Sequence, residues 1–261
     1  MKQSLADVQK RHQQLLDLLE ARGSLKVSEA SELFHVSNLT IRRDFAELEE
    51  KGYVTRFHGG ANFISGSMET TPIFENKDTM HQAQKQQIAR VASGFIKEKD
   101  IVFLNAGTTT LELIRCIKDK DITIITNNAL ACTVIENGTA TLISTGGEYN
   151  KRNKSYAGAS ATNLIDKVSA TVCILGANGI HPRDGVTTYA YLETMINEEM
   201  IKHCKGKRII AADGSKVGRI FCYTSVSIHD IDVLVTDSSA NEEDLENMRR
   251  LGIQVILADQ V

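Results

Sequence analysis

Apolar residues recur at helical spacing from Leu5 to Ala21, with Leu15, Leu18 and Leu19 in one stripe, and Gly23 stands just beyond as a terminator. A second, shorter helix is expected through Phe34, capped by Ser28, with Ala30, Leu33 and Phe34 facing a core. His35 and Val36 make the turn to a third helix, which Ser37 caps and which runs from Asn38 to about Lys51, ending at Gly52. Tyr53 to Phe57 then alternates and is rich in β-formers, His58-Gly59-Gly60-Ala61 supplies a tight turn, and Asn62-Phe63-Ile64 is a return strand. Three helices and a β-wing thus fill residues 1–64. From Ser65 to Asp78 the chain turns polar and carries Pro72, so residues 65–80 read as a linker.

Beyond His81 the pattern changes to short apolar runs alternating with helical stretches. The expected strands are Ile101 to Leu104, Ile122 to Ile125, Thr141 to Ser144, Thr171 to Leu175, Arg208 to Ala212, Val233 to Thr236 and Gln254 to Leu257. Such alternation predicts an α/β domain over residues 81–261, a largely parallel sheet flanked by helices.

Composition narrows the class. With 42% hydrophobic and 24% charged residues the chain has the balance of a soluble globular protein, and no run approaches the ~20 apolar residues that span a bilayer. The N-terminus has no uninterrupted apolar stretch for a secretory signal, so the cytoplasm is expected and no membrane partner. The five cysteines are scattered without a CxxC pair, which argues against a zinc site, and Cys173 within TVCIL reads as a core residue. A net charge of −3 gives no global signature of nucleic-acid binding. Residues 1–65 hold nine Lys plus Arg against nine Asp plus Glu, so any DNA affinity must come from where the charges sit.

On the third helix Ile41, Phe45 and Leu48 share one face at spacings of four and three, which turns that face to the core. The opposite side displays Leu39, Thr40, Arg42, Arg43 and Ala46, with two guanidinium groups near the end where a recognition helix meets base edges. Glu47, Glu49 and Glu50 come later, away from the reading end. On the wing, Arg56 and His58 are candidates for contact with the DNA backbone or minor groove. The stretch Val36-Ser37-Asn38-Leu39-Thr40-Ile41-Arg42-Arg43-Asp44-Phe45-Ala46-Glu47-Leu48-Glu49, followed by Arg56-Phe57-His58-Gly59-Gly60-Ala61, closely resembles the signature of the DeoR family of bacterial transcriptional regulators. The resemblance implies a winged helix-turn-helix near residues 27–46, double-stranded operator DNA as partner, and repression of sugar or sugar-alcohol catabolism genes. The DNA-reading set it marks is Ser37, Asn38, Leu39, Thr40, Arg42, Arg43, Arg56 and His58.

In the second domain Asn105-Ala106-Gly107-Thr108-Thr109-Thr110 follows a strand and opens a helix. A glycine lets the backbone approach closely, hydroxyls and N–H groups donate, and the helix N-terminus favours an anion, so a phosphate fits there, although such a turn also serves simply to cap a helix. Further polar clusters follow other strands: Thr126-Asn127-Asn128, Gly146-Gly147, Gly176-Ala177-Asn178-Gly179 and Asp213-Gly214-Ser215-Lys216. In an open parallel sheet these loops converge beyond the carboxyl ends, where Lys216 can neutralise a phosphate. From about residue 75 onward the chain is similar to the DeoR-family sensor half, at Gly107 to Thr110, Thr126-Asn127, Gly146-Gly147, Ser155 with Gly158, and Asp213 to Lys216. That similarity implies a fold like ribose-5-phosphate isomerase, a phosphorylated sugar or sugar-alcohol effector, and a homodimer or homotetramer. Asn105 departs from the family, which commonly has aspartate there.

The alternative is an aldose-phosphate isomerase, which needs a carboxylate base. Where those enzymes show Gly-Ala-Asp-Glu this chain reads Gly176-Ala177-Asn178-Gly179, no lysine lies in Asp184 to Thr188, and Glu193 has no evident partner. An amide binds a hydroxyl but cannot act as a base near neutral pH, so binding without turnover is expected. Neither GxGxxG nor GxxxxGK[ST] occurs, and no cofactor or metal is expected.

Overall fold

The computed structural model describes residues 5–22, 24–50, 54–57, 59–63 and 80–261. The chain divides into two compact units, Met1–Asn76 and Lys77–Val261. Among the described residues no helix is long and apolar enough to cross a membrane.

In the first unit α1 (Leu5–Arg22), α2 (Val27–Phe34) and α3 (Asn38–Glu50) accompany β1 (Ser24–Lys26), β2 (Val54–Phe57) and β3 (Gly60–Phe63). Leu15, Leu19, Leu25, Ile41, Phe45, Leu48 and Val54 form its buried centre, as the helical spacing of Ile41, Phe45 and Leu48 requires. Three expectations are corrected. Ser28 is not the cap of α2: β1 pairs with β3, Ser24 opposite Asn62 and Lys26 opposite Gly60, and this holds the backbone extended through Lys26. The helix therefore starts at Val27, and the Glu29 carboxylate accepts the Lys26 N–H at 3.2 Å. Leu33 does not face the core but is 50% exposed, because the inward stripe is Val27, Ala30 and the half-buried Phe34, and Leu33 lies about 100° around the helix from Phe34. The return strand begins at Gly60 rather than Asn62, pairing Gly60 with Phe57 and Ala61 with Arg56. A Cβ at Gly60 would come within 2.5 Å of the Phe57 ring and 2.6 Å of the Leu25 carbonyl oxygen, so only glycine lets the three strands close. The expected roles of Gly23, Lys51, Gly52, Tyr53, His58 and Ile64 lie outside the described residues.

In the second unit all seven expected strands form one parallel sheet. These are β4 (Ile101–Leu104), β5 (Thr123–Thr126), β6 (Thr141–Ser144), β9 (Ala170–Leu175), β12 (Cys204–Ala211), β14 (Val233–Thr236) and β15 (Gln254–Leu257), in the order β15-β14-β12-β9-β4-β5-β6. Alternate residues serve opposite faces. Phe103, Cys173, Ile210 and Leu234 pack under α7 (Ala159–Ile165), α8 (Tyr191–Lys202) and α9 (Glu242–Arg250). Val102, Leu104, Val172, Ile174 and Val233 pack under α4 (Gln82–Ser93), α5 (Thr108–Ile117) and α6 (Ala131–Ile135). The sequence reading missed the small antiparallel pieces: a hairpin of β7 (Glu148–Asn150) and β8 (Ser155–Ala157), and a sheet β10 (Gly179–His181), β11 (Gly185–Thr188), β13 (Tyr223–Val226). Their runs of three or four residues carry too little periodicity to stand out.

Candidate DNA-reading face and effector site

Folding separates the two sides of α3. Ser37 Oγ accepts the Thr40 N–H at 3.1 Å and lies 2.9 Å from the Thr40 hydroxyl, so both side chains cap the helix. Asn38, Leu39, Arg42 and Arg43 are exposed on the outer surface, together at its N-terminal end. The inner side is fixed by a cluster that sequence reasoning missed. Asp44 is buried and accepts from Arg11 at 2.7 and 3.0 Å, and lies 3.0 Å from His12 Nε2. Burial raises the Asp44 carboxyl, but the hydrogen bonds of His12 and Arg11 and their charges outweigh it and hold its pKa below the ordinary value. Arg11 and His12 sit among charged residues of α1 and carry no local mark of burial.

Arg56 is already engaged within the wing. Its backbone N–H and Nε donate to Glu49 at 2.9 and 2.6 Å, which clips β2 to α3, and these bonds lower the Glu49 carboxyl. His58 lies outside the described residues.

In the sensor unit β4 and β9 are neighbours, but the chain leaves β4 toward β5 and β6, and β9 toward β12, β14 and β15. This reversal opens a crevice at the strands' carboxyl ends. The loops after β4 and β9 meet there. Asn105 Nδ2 donates to the Gly176 carbonyl at 3.0 Å, and Asn105 Oδ1 accepts the Gly176 N–H at 2.8 Å.

Gly107 is the N-cap of α5 and supplies no side-chain cap, and Leu111 N–H to Gly107 carbonyl, 3.0 Å, is the helix's first main-chain bond. The N–H groups of Thr108, Thr109 and Thr110 therefore sit at the electropositive end of a ten-residue helix, an arrangement that takes an anion. Thr110 is fully buried and turns its hydroxyl onto the Asn105 and Gly107 carbonyls, at 2.8 and 3.1 Å, so it shapes the loop. Thr126 does likewise, its Oγ accepting the Asn128 N–H at 3.1 Å. Asn127 accepts the Ala106 N–H at 2.7 Å and donates to the Tyr156 carbonyl at 2.9 Å, while Asn128 donates to the Gly107 carbonyl at 3.1 Å. The asparagines that follow β5 thus tie the Asn105–Thr110 loop to β8.

Asn178 after β9 and Glu193 on α8 are both within hydrogen-bond distance of Thr188. The Thr188 hydroxyl lies 3.0 Å from Asn178 Oδ1 and 2.9 Å from Glu193 Oε2, and Asn153 donates to Glu193 Oε1 at 2.7 Å. Glu193, expected without an evident partner, has Asn153 and Thr188 beside it. Gly146 and Gly147 follow the edge strand β6; at Gly147, φ is +106° and a Cβ would fall 2.4 Å from the Ala157 carbonyl oxygen, so glycine there serves close approach of the hairpin.

After β12, Asp213 is buried, and its Oδ1 accepts the Ser215 N–H at 3.2 Å and the Ser215 hydroxyl, whereas Oδ2 has no hydrogen-bond partner among the described residues. Burial raises this carboxyl, but the charge of Lys216, the Ser215 hydrogen bond and the charges of His81 and Lys85 outweigh it, and its pKa is lowered. Lys85 on α4 is itself buried, and neither it nor His81 was singled out in the sequence, where they resemble a solvated helix face. One strand, β9, separates β4 from β12, so the strands that carry the Asn105–Thr110 loop and the Asp213 cluster lie about 10 Å apart. A separate cavity of about 640 Å³ opens beside Glu198, Lys202, Arg208, Ser225 and Asp230, but Arg208 is already paired with Asp230 and Asp232 and Lys202 with Glu199.

A three-helix winged unit with an exposed arginine pair, followed by a parallel α/β unit, is the architecture of a DNA-binding transcription regulator that carries its own sensor domain. Residues 11–67 match the DeoR-like helix-turn-helix domain and residues 80–238 the DeoR C terminal sensor domain, and the chain belongs to the DeoR family. It is similar to a protein of Escherichia coli O157:H7 provisionally named an aga operon transcriptional repressor, at 30% identity over 96% of this chain and 94% of that one. It is also similar to the uncharacterised HTH-type transcriptional regulator FruR of Bacillus subtilis (strain 168), at 32% identity over 87% and 90% of the two chains. Ribose 5-phosphate isomerase A of Methanocaldococcus jannaschii aligns at a TM-score of 0.39 and 13% identity, over 52% of this chain and 54% of that chain, too slight a likeness to bear on function.

Proposed function

We propose that this regulator is a cytoplasmic repressor of sugar or sugar-alcohol catabolism genes, without enzymatic activity, and that a phosphorylated sugar or sugar alcohol releases it from its operator. A homodimer or homotetramer places two α3 helices on a symmetric site, with Arg42 and Arg43 toward base edges and Ser37, Asn38, Leu39 and Thr40 at the groove entrance. The observation that carries the effector reading is the uncapped N-terminus of α5 in the switch-point crevice. Thr108 and Thr109 with their N–H groups take the phosphate, and Asp213, Ser215 and Lys216 lie within reach of the rest of the ligand. The provisional name of the Escherichia coli relative, an aga operon transcriptional repressor, supports repression as the mode of action. Isomerisation lacks the carboxylate pair those enzymes carry in their Gly-Ala-Asp-Glu run: here Asn178 is an amide and Gly179 has no side chain.

The test is binding of the purified chain to fluorescent DNA from its own upstream intergenic region, with competitor DNA, across a panel of sugar phosphates. Specific binding weakened about 5- to 150-fold by one compound is the expected result, the range of ordinary allosteric coupling. Absence of specific binding together with turnover of a panel compound would overturn the reading in favour of the isomerase.

A further inference from the structure

Gly176 determines which way the Asn105 amide faces, because a main-chain N–H can only donate and a carbonyl can only accept. Asn105 Oδ1 must therefore face the Gly176 N–H, and Nδ2 the Gly176 carbonyl. The second proton of Nδ2 is then aimed at Asn197 Oδ1 on α8, 3.0 Å away. With its oxygen used, Asn197 presents Nδ2 to Ser225 Oγ on β13 at 3.2 Å, and the Ser225 hydroxyl donates to the Val186 carbonyl on β11 at 3.3 Å. Asn105, Asn197 and Ser225 are each less than 8% exposed, so water does not substitute for a lost partner.

We propose that Asn105 is a positioning residue that only a neutral amide can fill, the first link of a one-way hydrogen-bond relay from the phosphate loop through Asn197 and Ser225 to Val186. The relay fixes α8 and the β10-β11-β13 sheet relative to the Asn105–Thr110 loop, so that a ligand ordering that loop also orders them. This rests on reading the loop as the effector site. Asn105 itself offers the ligand no free proton, because both Nδ2 protons are consumed within the protein. A carboxylate of the same shape fails here: it would set an oxygen against two acceptors, the Gly176 carbonyl and Asn197 Oδ1. Only its protonated form restores one of the two bonds.

The full chain carrying Asn105→Asp, without ligand, is expected to melt on the order of 5 °C below the parent at about pH 8. That deficit should shrink by roughly half or more toward about pH 5. The sign follows from an acid whose folded pKa is raised: the stability it contributes is present below its unfolded pKa and is lost as pH rises through the folded one. A deficit independent of pH, or none, would overturn the relay. Asn197→Asp is expected to be milder, because Ser225 can turn its hydroxyl toward the new carboxylate while Asn105 still donates; a larger loss there than at Asn105 would reverse the direction assigned. Hydrogen exchange with inorganic phosphate as the probe then tests transmission. Phosphate should protect amides of residues 105–110, 191–202 and 223–226 in the parent, and only 105–110 in Asn197→Leu, which removes both of Asn197's hydrogen bonds; unchanged protection of α8 in that variant overturns the proposal even if Asn105→Asp does not fold. If phosphate protects nothing in the parent, the effector-site reading fails, whereas the ligand-free pH comparison still decides the relay.

Discussion

Asp44 and Asp213 are both buried carboxylates whose pKa is lowered, yet they sit in opposite kinds of site. Asp44 is closed: two nitrogens of Arg11 and one of His12 occupy its oxygens, and the cluster joins α1 to α3. Asp213 is open: one oxygen is bound by Ser215, the other has no hydrogen-bond partner among the described residues, and Lys216, Lys85 and His81 contribute positive charge. Burial and a shifted pKa therefore do not by themselves mark a binding site. What separates the two is whether the protein has used up the group's bonding capacity, since an incompletely satisfied buried group is the one a ligand can complete.

Substitutions should pull this contrast apart. Asp44→Asn removes the buried carboxylate that both Arg11 and His12 approach and should cost about 3 to 5 kcal/mol, melting the DNA-binding unit while the sensor unit keeps its own calorimetric transition. Loss of both transitions together would show that the cluster supports more than its own unit. Lys216→Ala should weaken sugar-phosphate binding by roughly 1.5 to 3 kcal/mol, the worth of a hydrogen bond to a charged group, and leave operator affinity intact by fluorescence anisotropy. An unchanged effector affinity removes Lys216 from the site. Arg42→Ala should reduce specific operator binding by about 1 to 3 kcal/mol with effector affinity unaltered, and the loss should be greater for operator than for competitor DNA if the residue reads bases. Acid offers a milder probe: the stability Asp44 contributes is present above the unfolded carboxylate value near ~3.9 and is lost as pH falls through its lower folded value, so the winged unit's melting temperature should be flat at neutral pH and fall only in strong acid. The smallest effect belongs to Arg56→Ala, which breaks a partly exposed pair with Glu49; about 0.2 to 1 kcal/mol is expected, and a larger drop in DNA binding would assign Arg56 a direct contact.

Much of this architecture was legible because it is written in short-range periodicity. The spacing of Ile41, Phe45 and Leu48 identified the inner face of α3 and so the outer arginines, and seven apolar runs identified the seven strands of the parallel sheet. Polar clusters after those strands also marked the loops that the fold brings to one end. Within them, however, the sequence could not say which side chains face a ligand: Thr110, Thr126 and Asn127 look like ligand groups but spend their bonds on the loops themselves. Nor could it show that Glu193 binds Asn153, forty residues away.

The sequence by itself determined the three N-terminal helices, the seven strands of the parallel sheet and the exposed arginine pair, since helix and strand periods and turn residues act over a few positions. Only the tertiary structure decided the strand order, and with it the reversal between β4 and β9 that opens the crevice, because pairing depends on how whole βα units pack. The same holds for the Arg11–His12–Asp44 cluster and the Asn105–Asn197–Ser225 chain. A hydrogen bond joins atoms a few ångströms apart in space whatever their separation along the chain, and these partners are 28 to 92 residues apart.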